Sequence, residues 1–144
     1  MLTMRPLPAI LSLSILLLFI QPAHADVVVI VSAKSPIKSL SSDQATDLFL
    51  GKVADFPNGS KATPLDQAEG SPVRDMFYQK SVGKAPAQMK AHWARMLFTG
   101  RAQPPVESGD SEAIKKLVAA NPGLIGYIDR DALDSSVRSV LVIH

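Results

Sequence analysis

A run of β-branched apolar residues near the start of the chain constrains its fold most strongly. The run extends from Val27 to Val31 and shows no alternation between apolar and polar side chains. A strand with this pattern is typically buried on both faces, because helices cover both sides of its sheet. The sequence therefore predicts a central strand in a sheet that lies between helices.

Residues 1–25 have the features of an export signal. Arg5 is followed by an apolar stretch from Ala9 to Ile20, and Ala23-His24-Ala25 then places small residues where a signal peptidase reads them. The stretch is shorter than the roughly 20 residues that a membrane-spanning helix needs. We expect cleavage before Asp26, a periplasmic mature protein and a single domain over residues 26–144. An uncleaved anchor is the alternative.

The remaining pattern predicts alternating helices and strands. A capping box of Ser41 and Gln44 opens a short helix, and Ser71-Pro72 is a typical helix start. Helices are predicted over 72–80, 86–98 and about 111–120, and further strands over 62–65, 124–128 and 137–143. This order predicts an α/β domain with a small mixed β-sheet flanked by helices. Trp93 and Phe98 are expected in its core.

Composition excludes several classes of function. The chain has 15 Lys and Arg against 13 Asp and Glu, too small an excess to supply a basic surface for nucleic acid. It has no cysteine, which excludes disulfides, cysteine-ligated zinc and thiol catalysis. Past residue 25 only His92 and His144 remain, too few for a histidine metal cluster, so we expect no metal and no cofactor.

Catalysis is not expected either. The Gly70-Ser71-Pro72 sequence lacks the second glycine of a nucleophile elbow, and the proline removes the amide that an elbow uses for its oxyanion hole. No pair of titratable groups has a spacing that requires a catalytic explanation. The acidic segment from Asp129 to Asp134 lacks the glycine and terminal glutamate of a calcium loop and is interpreted as a solvated turn.

The helix that starts near Ser71 is the best candidate for binding an anion. Free amides and the helix dipole at such a start favour negative charge, and Arg74 adds a cation in the first turn. Alternatively, Asp66, Glu69 or Asp75 pairs with Arg74 inside the protein.

Four segments of the chain resemble a known family. They are 27–31, 40–52, Gly70-Ser71 followed by Phe77, and 121–127. The second and fourth look like the signatures "Leu-Ser/Thr … Ile-Phe-X-Gly-Lys" and "Asn-Pro-Gly-X-Ile-Gly-Tyr". These belong to the phosphate-binding components of ABC phosphate importers, in the type 2 periplasmic binding protein superfamily. The resemblance implies the fold of one of the two lobes that full-length members have.

The resemblance also implies a function. It suggests a non-enzymatic protein that binds a phosphate-like oxyanion around Gln67, Gly70, Ser71 and Arg74, and that works with ABC transporter membrane components or another periplasmic protein. The family has an arginine where this chain has Asp66, and Ser-Gly-Thr where it has Gly70-Ser71-Pro72. With one lobe, we expect weak binding. The alternative is an interaction module of the same fold that has lost the ligand and acts through protein contacts or a homodimer.

Overall fold

A computed structural model describes residues 3–6 and 26–144 of the chain. Its elements, in chain order, are β1 (Val27–Ser32), α1 (Ser42–Phe49), β2 (Thr63–Asp66), α2 (Pro72–Val82), α3 (Pro86–Phe98), β3 (Val106–Glu107), α4 (Ser111–Ala120), β4 (Leu124–Asp129), a 3₁₀ turn (Arg130–Ala132) and β5 (Val137–Ile143). The apolar stretch and the Ala-His-Ala sequence of the predicted export signal lie outside the described residues. Within those residues, no helix has both the length and the apolar character to cross a membrane.

The strands form one mixed sheet of five strands in the order β3-β2-β4-β1-β5. β1 pairs antiparallel with both β4 and β5, whereas β2 pairs parallel with β4 and with β3. All six residues of β1 are buried. The predicted interior strand and the mixed sheet are therefore confirmed.

The two faces of the sheet contact different helices. Val27, Val29 and Val31 belong to a large core that also contains buried residues of α1, α2 and α3. Val28 and Ile30 belong to a smaller core with Ile114 and Val118 of α4. A strand that is covered on both faces needs apolar side chains at every position, because successive side chains point to opposite faces.

Local capping signals position the helices as predicted. Ser41 and Gln44 form the expected capping box of α1. Ser71 is the N-cap of α2, and Gly83 ends that helix with a φ of 66°. This left-handed conformation favours glycine because it has no Cβ.

Two expectations were wrong. The strand β3 was not predicted, because two residues are too few to show a periodic pattern; it forms by pairing with Leu65 and Asp66 of β2. Phe98 was expected in the core, yet it is 94% exposed at the last position of α3. Trp93, five residues earlier, is buried as predicted.

Candidate anion site at the start of α2

The predicted site residues come together where β2 leads into α2. β2 ends at Asp66, and four residues later Gly70 turns the chain with a φ of 87°. Ser71 then caps the helix. Gln67, Gly70, Ser71 and Arg74 therefore all lie in one loop and one helical turn.

Gln67 and Ser71 use their polar atoms inside the protein. The Ser71 hydroxyl donates to Gln67 Oε1 at 2.7 Å and accepts the Arg74 backbone N–H at 3.3 Å. The Gln67 side chain is buried, and its amide donates to Ser111 Oγ at 3.0 Å and to the Tyr127 carbonyl at 3.2 Å. Gln67 thus fixes the loop to α4 and β4 through hydrogen bonds.

The guanidinium of Arg74 contacts two carboxylates. Nη1 donates to Glu107 Oε1 at 2.8 Å and to the Gln67 carbonyl at 2.9 Å, and Nη2 lies 3.8 Å from Asp66 Oδ2. Burial by itself lowers the pKa of Arg74, but the Asp66 charge and the Glu107 hydrogen bond outweigh it, so the pKa lies above its ordinary value. Arg74 is therefore a permanent cation with partners on β2 and β3.

Asp66 is the centre of a buried polar network. Its carboxylate accepts hydrogen bonds from the Tyr78 hydroxyl at 2.9 Å, from the Tyr127 hydroxyl and from the Gln67 backbone N–H at 3.1 Å. Burial raises the pKa of Asp66, while the tyrosine hydrogen bonds and the Arg74 charge oppose that rise. Burial and the Asp66 charge also raise the pKa of both tyrosines, so they act as neutral donors.

Unused donors remain at the start of α2. Among the described residues, the backbone N–H groups of Gly70 and Val73 have no hydrogen-bond acceptor, and Pro72 has no N–H. Such amides, together with the helix dipole, attract negative charge. These two amides and the Arg74 guanidinium are the groups at this helix start that favour negative charge.

A cavity of about 340 Å³ opens beside this helix start. Arg74, Gly70 and Glu107 line one part of it. α2 and α3 supply the apolar part, from Tyr78, Met89, Trp93 and Leu97. The guanidinium, with 17% of its side chain exposed, can therefore be reached from the cavity.

Sequence reasoning missed three residues of this arrangement. Glu107 lies on the two-residue strand β3, for which no pattern exists. Tyr78 faces Asp66 from α2, 12 residues along the chain, and Tyr127 faces it from β4, 61 residues along the chain. Tyr127 belongs to a segment that carried the family resemblance, but nothing in the sequence connects its hydroxyl with Asp66.

The remaining titratable residues singled out in the sequence make ordinary structural contacts. His92 is half-buried at the end of the core, with Nε2 3.4 Å from the Leu50 carbonyl. In the acidic turn, Asp129 caps the 3₁₀ turn, and Asp134 contacts Ser136 and Lys115. No group of three or more potential metal ligands occurs within residues 3–6 and 26–144.

No family profile matches the sequence, and no curated protein matches it. Solved structures do match. A protein from Clostridium perfringens, assigned as a phosphate ABC transporter substrate-binding protein and solved with bound phosphate, has 25% identity and a TM-score of 0.65 over 81% of this chain and 44% of its own. An ABC-type phosphate transport receptor from Vibrio cholerae has 17% identity and a TM-score of 0.62, over 81% and 45%.

A third match extends the same result. PstS from Borrelia burgdorferi has 10% identity and a TM-score of 0.59, over 83% of this chain and 46% of its own. The chain thus spans less than half the length of each of these proteins. The predicted resemblance is confirmed: the described part of this chain has the α/β fold of a lobe of the phosphate ABC transporter substrate-binding proteins.

Proposed function

We propose that this chain is an exported, non-enzymatic protein that binds a small phosphate-like oxyanion at the start of α2. The observation that carries the proposal is the shared fold with the phosphate-bound protein from Clostridium perfringens, at 25% identity. The two matching structures are named as a substrate-binding protein and a transport receptor, which supports a role without catalysis. Of the four predicted residues, Gly70 and Arg74 would contact the anion, whereas Gln67 and Ser71 would hold the loop and the helix start in position through their internal hydrogen bonds.

Weak affinity is part of the proposal. An incoming anion competes with Glu107 and Asp66 for Arg74, and ion pairs near water contribute little. Pro72 also removes one amide donor. Transfer to ABC transporter membrane components, or to another periplasmic protein, would follow from the same family role.

Titration calorimetry with phosphate and sulfate tests the proposal. We expect heat of binding and a higher melting temperature at millimolar anion. Arg74→Gln should abolish both effects, whereas Arg95→Gln, the same charge change on exposed α3, should leave them intact. Arg74→Lys keeps a cation for the case in which Arg74→Gln unfolds. Absence of binding to the folded wild-type protein at millimolar anion would refute the proposal.

Export is tested separately. Expression in a bacterial host should place the protein in the periplasmic fraction, and Edman sequencing of the mature chain should begin at Asp26. An intact N-terminus in the cytoplasm would contradict this part of the proposal.

A second candidate, a ligand-free interaction module, is favoured by the exposed apolar end of α3. Phe98 is 94% exposed and Leu97 is 52% exposed, next to the cavity. Large exposed apolar groups together often mark contact surfaces. Sedimentation velocity distinguishes the two candidates: a dimer that Phe98→Ser dissociates and Leu117→Ser leaves intact would support the interaction module.

A further inference from the structure

The cavity beside Arg74 is larger and more apolar than a free inorganic oxyanion needs. Its volume of about 340 Å³ is within the range of sites that hold small organic molecules. A phosphate or sulfate ion at the guanidinium would occupy only a small part of that space. The rest of the cavity would stay in contact with water.

The apolar part comes from two helices that pack together. Tyr78 of α2 and Met89, Trp93 and Leu97 of α3 all line it. Aromatic and aliphatic side chains do not stabilise an inorganic anion, which is strongly hydrated. They do stabilise the hydrocarbon part of a ligand, because burial removes apolar surface from water.

Trp93 contributes ring surface to the apolar part of the cavity. Its indole N–H is buried and, in the described part of the chain, is the one buried side-chain polar atom without a hydrogen-bond partner. Such groups are uncommon in folded proteins, because leaving a buried donor unpaired costs free energy. Because the indole nitrogen is shielded from solvent, a ligand in the open cavity would contact the carbon atoms of the ring and not the N–H.

The cavity lining carries three cations, Arg74, Lys84 and Lys90, and three acids, Glu69, Asp75 and Glu107. Glu69 pairs with Lys90 at 3.0 Å, and Glu107 pairs with Arg74 at 2.8 Å. The Glu107 side chain is 51% exposed, so it can turn into water when an anion takes its place on the guanidinium. The apolar wall then lies next to the bound head group.

We propose that the ligand of this site is an organic anion, in which a phosphate-like or carboxylate head group binds Arg74 and an aromatic or aliphatic body fills the cavity along α3. The inference rests on the proposed function and narrows its substrate class. It assigns Leu97, Trp93 and Tyr78 as residues that determine specificity.

Calorimetry with a matched set of probes tests the proposal. Inorganic phosphate supplies the head group alone, phenyl phosphate supplies head group and body, and phenol supplies the body without the phosphate. Burying the ring should make phenyl phosphate bind about tenfold more tightly than phosphate, or better. Phenol should bind more weakly than phenyl phosphate.

Two variants separate the cavity from general effects. Leu97→Ser should weaken the binding of phenyl phosphate several-fold and leave the affinity for phosphate unchanged. Leu117→Ser on α4 is the matched control, since Leu117 is 45% exposed and lies outside the cavity lining. Trp93 is the only tryptophan in the sequence and lines the cavity, so its fluorescence is sensitive to a ring bound there. Phenyl phosphate should change the emission with the dissociation constant found by calorimetry.

The outcomes are distinguishable. Equal affinities for phosphate and phenyl phosphate, an equal effect of both leucine variants or an unchanged tryptophan emission would overturn the inference while the proposed function stands. If neither anion binds, the proposed function fails as well.

Discussion

Replacing Glu107 with glutamine tests how strongly the protein's own carboxylates compete for Arg74. In the folded chain, Glu107 Oε1 lies 2.8 Å from Arg74 Nη1. Glutamine keeps the length and shape of the side chain and removes its charge. An anion that approaches Arg74 no longer has to displace a carboxylate, so we expect Glu107→Gln to bind phosphate more tightly than the wild-type protein.

The size of the effect follows from the exposure of the pair. With 51% of the Glu107 side chain and 17% of the Arg74 side chain exposed, water screens the interaction. Exposed ion pairs contribute about 0.2–1 kcal/mol, so removing the competitor should tighten binding by a factor of about 1.4 to 5. The difference should shrink at high ionic strength.

Glu69→Gln is the matched control for this experiment. Glu69 also lines the cavity, but it pairs with Lys90 and not with Arg74. Both variants raise the net charge equally, so a purely long-range effect would be similar in the two. Calorimetric titration of all three proteins with phosphate at pH 7 provides the comparison. If Glu107→Gln binds no more tightly than Glu69→Gln, competition at Arg74 is refuted.

Three further predictions concern stability. Asp66→Ala leaves the Arg74 guanidinium and two tyrosine hydroxyls without their buried partner. Urea unfolding should therefore show that the free energy of unfolding falls by about 3–5 kcal/mol. A fall of less than about 1 kcal/mol would mean that the network adds little to stability. Hydrogen bonds from Ser136 lower the pKa of Asp134 from 3.8 to about 2. The contribution of the ionised Asp134 to the stability of the fold is therefore present above pH 3.8 and is lost as the pH falls towards 2. Between these pH values, the melting temperature of Asp134→Asn should fall less steeply with decreasing pH than that of Asp131→Asn. Equal slopes would contradict the role assigned to Asp134. A Cβ on Gly126 would lie 2.5 Å from Ile114 Cγ2. Gly126→Ala should therefore lower the free energy of unfolding by about 1–3 kcal/mol in the same urea assay, because the core becomes overpacked. Unchanged stability would show that α4 moves away freely.

Much of the candidate site could be predicted because its parts are neighbours in the chain. Ser71-Pro72 marks a helix start, and a helix places Arg74 one turn from its N-cap whatever the rest of the protein does. Gly70 could also be predicted from its neighbours, because the turn before the helix has a left-handed φ, which favours glycine. The partners of Arg74 were harder to predict. Asp66 was one of three acids considered, whereas Glu107 was not considered.

Local chemistry alone therefore determined the β-branched strand β1, the capped starts of α1 and α2 and the order of most elements, since each depends on contacts within a few residues. The tertiary structure decided what those elements meet. Parallel pairing of β2 with β3 brings Glu107 to Arg74, 33 residues away, and the sheet order brings Tyr127 to Asp66, 61 residues away. The same packing buries Trp93 and leaves Phe98 in water. Such contacts depend on which strands pair and which helix faces meet. A sequence pattern within one segment does not identify the distant segment that it will contact.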